Sequence, residues 1–341
     1  MEELAERRQR QARVAVLVLA VCCLCWGYSF PVMQIAAREI EAATGHQTLD
    51  TRLELAVRAT FNGWRFGAAA LVYALITFAR HRGFSRDELL GGTVVGVFFG
   101  AGMFLQVLGL RYTRPSVSAF LTSLAVVFAP IAQALLLRRR VEWRVWLAVC
   151  LAMVGITVLS QTDASSQAAN TISHAPPIPY TGEILTVLAA LLFTGQILAV
   201  DHFGKRSDPT RLTLVMLATT AAVSLLCGSL LSGAALYQSH ALTTLISSGT
   251  FWWSFWSLVV FSSVVALHLM NGYQPLVAPA TAAVVYCLEP LFATSFSVAF
   301  GAEHVTRATV IGGVMVLLAV LTVVQWKASS SSAPPAEPRR G

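Results

Sequence analysis

The sequence predicts an all-α polytopic membrane protein of ten transmembrane helices arranged as two inverted five-helix repeats. Three observations carry that prediction. The first is composition: 56% of the 341 residues are apolar and only 12% are charged, with a mean hydropathy of +0.66. A soluble domain carries about 25% charged residues, so this chain lacks the material for a solvated surface, and soluble and disordered classes are excluded. The second is that the apolar residues gather into runs near the ~20 residues that cross ~30 Å of hydrocarbon. The third is an echo of the first half of the chain in the second.

In order, the runs cover roughly 14–36, 60–79, 89–110, 115–137, 143–160, 182–200, 211–231, 252–271, 278–299 and 307–326. Period-2 alternation is absent, which argues against a β-barrel. The first run follows Arg7, Arg8, Arg10 and Arg13, as in a signal peptide. It continues past Trp26 into Phe30 and Pro31 without an A-x-A site, so it is expected to stay in the mature protein. A polar stretch at 37–59, with Glu39, Glu41, Asp50 and Glu54, reads as an outer loop. A second stretch at 161–181 is rich in Ser, Ala and Pro, has no Lys or Arg, and splits the runs five and five. The chain therefore divides into a cytoplasmic N-terminus (1–13), a first repeat (14–160), an external linker (161–181), a second repeat (182–326) and a disordered cytoplasmic tail (327–341).

Charge sets the orientation. With the N-terminus inside, 17 of the 24 Lys and Arg residues fall on the inner face, in the groups around Arg7, Arg80, Arg138, Lys205 and Lys327. That bias predicts an inner (plasma) membrane protein with both termini cytoplasmic. It also accounts for the net charge of +7 without nucleic acid as a partner. The six Cys residues, at 22, 23, 25, 150, 227 and 287, all lie inside apolar runs. Neither a disulfide framework nor a zinc site is expected, and no cofactor is.

Shifting the chain by 164 residues lays the fourth and fifth runs on the ninth and tenth. Pro115 meets Pro279, Ala119 meets Ala283, Leu124 meets Leu288, Phe128-Ala129 meets Phe292-Ala293 and Val141 meets Val305. Because five is odd, the second half enters the membrane from the opposite side. Repeats of that kind underlie many secondary transporters, whose halves exchange inward-open and outward-open shapes around a central site.

Specific residues then carry a resemblance. Trp26-Gly27-Tyr28-Ser29-Phe30, Arg65-Phe66, Gly109-Leu110-Arg111-Tyr112-Thr113 with Ser116, and Phe120-Leu121-Thr122-Ser123-Leu124 running on to Pro130 follow one another in the first half. Leu288-Glu289-Pro290-Leu291-Phe292, Gly301-Ala302-Glu303 and Gly312-Gly313 follow in the second. In order and spacing these resemble the EamA-like family of the drug/metabolite transporter superfamily, over nearly the whole chain. The resemblance implies ten helices in two repeats around a central substrate cavity. Arg139, Val126 and Phe193-Thr194 depart from its usual Glu, Pro and Trp-Ala.

The candidate substrate-binding residues are Trp26, Tyr28, Arg65, Gln106, Gln196, His268, Tyr286 and Glu289. Trp26 and Tyr28 lie in mid-span, where core packing and cavity lining are both open readings. Arg65, read as one turn inside its run, either snorkels to the outer interface or meets a substrate carboxylate or phosphate. Gln106, Gln196 and His268 are polar groups in or near spans, suited to interhelical hydrogen bonds or to ligand. Glu289 sits deep in the ninth run beside Pro290, which frees a backbone carbonyl one turn earlier. It is read either as a proton-coupling group or as a structural one. Glu303 is read as a helix cap, and Asp201 as solvated at the interface. Gly92, Gly96 and Gly100 form a stripe for close helix packing or for a sliding surface.

No Walker loop, G-x-S-x-G or H-E-x-x-H motif is present, so an enzyme is not expected and energy would come from a gradient. The sequence thus reads as a secondary transporter of small polar or amphipathic metabolites, such as amino acids or related compounds. Export is the favoured direction, and uptake or exchange the alternative. A membrane-embedded enzyme or sensor is the rival class. The expected partners are the small-molecule substrate, the lipid bilayer and a proton as coupling ion, with a homodimer as a candidate assembly.

Overall fold

The computed structural model describes residues 2–44, 51–78, 83–110, 112, 115–166, 180–232, 240–301 and 304–329. The expectations placed on 45–50, on most of the 161–181 linker, on Arg111 and Arg114, on Glu303 and on 330–341 lie outside the described residues.

Among the described residues there is no strand, and every apolar run of the sequence falls on helix. The elements are α1 (Glu2–Thr44), α2 (Thr51–Ile76), α3 (Arg86–Leu110), α4 (Pro115–Thr122), α5 (Ala125–Leu135), α6 (Trp143–Ser166), α7 (Thr181–Phe203) and α8 (Pro209–Ser232). After them come α9 (His240–Ser247), α10 (Gly249–Ser257), a π-helical segment (Leu258–Val265), α11 (Ala266–Tyr273), a 3-10 turn (Gln274–Leu276), α12 (Pro279–Tyr286), α13 (Leu288–Ala299) and α14 (Arg307–Ser329). By length and composition six stretches could each cross a membrane: Gln9–Ile40, Arg86–Gly109, Thr181–Phe203, Pro209–Leu231, Gly249–Leu276 and Pro279–Ala299. The protein is an all-α membrane protein.

The polar stretch 37–59 is not the loop the sequence suggested. α1 runs on to Thr44 and α2 already begins at Thr51. Arg38, Glu39 and Arg58 are therefore carried on helix ends, where composition alone does not separate a helix extension from a loop.

Local chemistry fixes the starts. At α3 the Ser85 hydroxyl accepts from the Glu88 N–H and Glu88 Oε2 accepts from the Ser85 N–H, a reciprocal capping box. Asp208 Oδ1 accepts from the N–H groups of Thr210 and Arg211 ahead of Pro209, a proline suited to the first helical turn. Ser248 caps α10 through the Phe251 N–H and gives its own proton to Glu39 Oε2 at 2.6 Å, tying α10 to the end of α1.

The ninth run is broken between α12 and α13 at Cys287, and the fourth between α4 and α5 at Ser123-Leu124. α4 and α12 start and end at the same offset of 164 residues. Both open on a proline, and a second proline, Pro130 or Pro290, lies inside the helix that follows. Each such proline denies a hydrogen bond to the carbonyl one turn earlier.

Packing runs across the two halves. α2 lies on α8, α3 lies on α7 and α8, α6 lies on α14, and α1 lies against α10, the π segment, α11 and α13. α3 and α8 meet through the glycine stripe. A Cβ at Gly92 would stand 2.5 Å from Val215 Cβ, and one at Gly96 2.8 Å from the Met216 carbonyl oxygen. α6 and α14 make the same kind of contact at Gly155 and Gly312.

Candidate functional site

α1 threads between the π segment and the broken α12–α13 pair, and its Trp26-Gly27 sequence is what permits this. A Cβ at Gly27 would lie 2.5 Å from Phe292 Cβ and 2.8 Å from the Ala293 nitrogen, so only glycine allows the backbones to approach. Trp26 spans the gap beside it. Its Nε1–H donates to the Ser262 carbonyl at 3.3 Å, and its ring meets the Tyr286 ring edge-on at 5.5 Å. Cys22 and Cys23 fasten the same face of α1 to the carbonyls of Ala266 and Val285.

Arg65 faces this region from α2. The snorkelling reading does not hold. Arg65 is the fifteenth of the 26 residues of α2, close to the helix midpoint, and it is only 3% exposed. The sequence misplaced it because the polar residues before it belong to the helix. Its Nε donates to Ser263 Oγ at 2.9 Å, Nη2 to Ser262 Oγ at 2.7 Å, and Nη1 to the Met33 sulfur at 3.8 Å. The guanidinium also lies 4.9 Å from the Phe66 ring centroid. No carboxylate pairs with it among the described residues.

Three other residues hold similar positions along their helices. Trp26 is the eighteenth residue of the 32-residue stretch Gln9–Ile40, Ser262 the fourteenth of the 28 in Gly249–Leu276, and Glu289 the eleventh of the 21 in Pro279–Ala299. At 1.5 Å per residue, each lies within about a turn of its helix midpoint. Glu289 is half-buried, directly after the break at Cys287, and makes no hydrogen bond or ion pair among the described residues.

The structure therefore gathers Trp26, Arg65 and Tyr286 around Ser262, and Glu289 follows Tyr286 by three residues across the break without a contact to Arg65 among the described residues. Tyr286 extends the group by donating to Gln274 Oε1 at 2.7 Å, and Gln274 Nε2 donates to the Ile197 carbonyl at 2.8 Å. Gln196 is adjacent to that carbonyl and donates to the Met270 sulfur. His268 pairs through Nδ1 with the Tyr73 hydroxyl at 2.7 Å. Tyr28, two residues from Trp26, turns to another face and packs its ring among Phe261, Phe296 and Phe300. Gln106 bonds Thr122 at the break of the other half. These last two stand apart from the central group.

Sequence reasoning missed Ser262 and Ser263, a polar pair in the middle of an apolar run, and the adjacent Gln274-Pro275. Asn62, one turn before Arg65, was also missed. It lines a small cleft with Met103, Phe104 and Ser224, and its buried Oδ1 has no hydrogen-bond partner among the described residues. Asp201 is a correction. Interface solvation is not its state, because its side chain is 2% exposed and paired with Arg139 at 2.8 Å and with Lys205.

A buried polar group held beside an interrupted helix of an all-α membrane protein is the kind of arrangement found in solute carriers. Comparison with known proteins agrees. The EamA-like transporter family model matches residues 13–161 and again 180–325, and the chain belongs to that family, within the drug/metabolite transporter superfamily. An uncharacterized transporter of Archaeoglobus fulgidus is 30% identical over 309 residues, covering 91% of this chain and 85% of its own. A crystal structure of a protein 16% identical in sequence superposes with a TM-score of 0.66, covering 92% of this chain and 99% of that one. That likeness is one of fold.

Proposed function

We propose that this membrane transporter is a secondary carrier that exports small polar or amphipathic metabolites across the inner membrane. It works by alternating access between residues 14–160 and 182–326. The observation that carries the reading is the buried group of Trp26, Arg65 and Tyr286 around Ser262, with Glu289 beside the break at Cys287. Irregular backbone at membrane depth is tolerated only where protein or a water-filled cavity satisfies its polar groups.

Ten spans in two inverted repeats fit further facts. The interrupted helices α4 and α12 share one offset. The helix pairing also survives exchange of the halves: α3 on α7 corresponds to the α10–α11 segment on α1, and α4 and α5 on α7 correspond to α12 and α13 on α1. Central binding is assigned to Trp26, Arg65, Tyr286 and Glu289, with Gln196 and His268 at the edge and Gln106 and Tyr28 lining the path. Glu289 is assigned the coupling proton. A gradient drives the cycle, since no nucleotide motif is present.

The test compares metabolites inside and outside cells with and without the protein. Intracellular build-up of one compound class in its absence supports export, and depletion of that class reverses the direction. Unchanged pools together with inactive proteoliposomes would overturn carrier function.

A further inference from the structure

We propose that Arg65, Ser262 and Ser263 form a carboxylate-binding site, so that the transported metabolite carries a carboxylate group. This rests on the transporter reading and names the substrate class of the same site. Arg65 offers five N–H donors. Three are engaged, by Ser263, Ser262 and Met33, which leaves one on each terminal nitrogen without a partner among the described residues. Two such donors match the two oxygens of a carboxylate.

The serines add to this. Serines within helices commonly give their proton to a carbonyl about one turn back, as Ser254 does to Thr250 and Ser295 to Leu291. Ser262 and Ser263 instead accept from Arg65, and among the described residues neither hydroxyl proton has an acceptor. Both lie in the π-helical segment Leu258–Val265, where a widened turn alters the usual back-bonding; such turns are frequent at functional sites. Four donors thus lack acceptors around one buried cation. A buried charge is costly without a counter-charge, and an acceptor-rich anion supplies both needs.

The charge count selects the anion. Arg65 is a single buried cation with no carboxylate paired to it among the described residues. A monoanionic carboxylate balances it, whereas a phosphate dianion would leave excess negative charge in a buried site.

The test is thermal unfolding of the full-length protein in nanodiscs with hexanoate, succinate and leucine, their amides, and inorganic phosphate as probes. The expected result is stabilisation by at least one carboxylate, none by its amide, and a weaker response to phosphate. Arg65→Gln should abolish the response, and Ser262→Ala should weaken binding at least about tenfold. Arg65→Gln should also raise the ligand-free midpoint, because the unpaired charge is removed; a purely bracing arginine would lower it. The site is overturned if no carboxylate binds better than its amide, if phosphate is preferred, or if both Arg65→Gln and Ser262→Ala keep wild-type affinity. Proteoliposome flux of the same probes separates the two readings. Equal flux of carboxylate and amide keeps the transporter and removes the site. Selective binding without flux keeps the site and removes the transporter.

Discussion

Glu289 and Arg65 are opposite charges near the midpoints of their helices, yet they are not paired with each other among the described residues. Glu289 has no hydrogen bond to lose among the described residues, so Glu289→Gln should fold normally, with a stability change within about 1 kcal/mol. If Glu289 carries the coupling proton, the Gln variant loses accumulation driven by a pH gradient while substrate exchange persists, and Glu289→Asp keeps partial activity. Vesicles with an imposed pH step make the measurement. Normal gradient dependence in the Gln variant would remove the coupling role and leave Glu289 as a helix-fixing group. Asp201 invites a different experiment. It ties Arg139, just past α5, to α7, and so links the two halves. Arg139 is half exposed, which limits the strength of the pair. A double-mutant cycle of Arg139→Ala and Asp201→Asn should give a coupling of about 1 kcal/mol; a value near zero would show that the contact does not hold the halves together.

Among elements, the α3–α8 pair is where sequence and structure meet most directly. The stripe Gly92, Gly96, Gly100 promised close approach, and the contacts in fact leave no room for a methyl group at Gly92 or Gly96. Gly96→Ala should therefore already cost about 1–3 kcal/mol, as overpacking does, and Gly96→Leu more. Gly67→Ala is the control, since its Cβ would meet Ala221 at an ordinary 3.9 Å. Thermal unfolding in detergent reads the order, and a Gly96→Leu protein as stable as wild type would mean that these helices separate freely. The interrupted helices behave differently. Pro290 frees the carbonyl one turn earlier, and the break at Cys287 falls beside that position; the break at Ser123-Leu124 lies more than a turn before Pro130 and is not explained by that ring. Gln133 shows how such a break is supported: its Oε1 accepts from the Ala280 N–H at 3.1 Å and caps α12 from α5.

For the molecule as a whole, the prediction concerns sidedness. With 17 of 24 cationic residues assigned to one face, both termini should be cytoplasmic and the linker near Ala169 external. Reporter fusions at Gly341 and near Ala169 should report opposite sides. The same side for both, or an external C-terminus, would end the ten-span topology. Two ties that cross the halves gather at one face, Arg139 with Asp201 and Arg211 with Glu88 at 3.4 Å. The first joins the loop after α5 to the end of α7, and the second joins the starts of α3 and α8; the charge bias assigns all four to the cytoplasm.

Hydropathy and proline spacing by themselves determined that this chain is helical, membrane-embedded and repetitive, because those properties depend on residue type along the chain. They also flagged Trp26, Arg65, Tyr286 and Glu289 singly, since each is costly or conspicuous in an apolar run. Only tertiary structure decided which of them meet. Trp26 reaches Tyr286 while Tyr28 does not, because two residues along a helix turn a side chain by about 200°. Ser262 and Ser263 look neutral in the sequence and become partners of a buried cation only when α2 packs against the π segment. Asp201 passes from an apparently solvated group to a buried one for the same reason: burial is set by the neighbours that folding supplies.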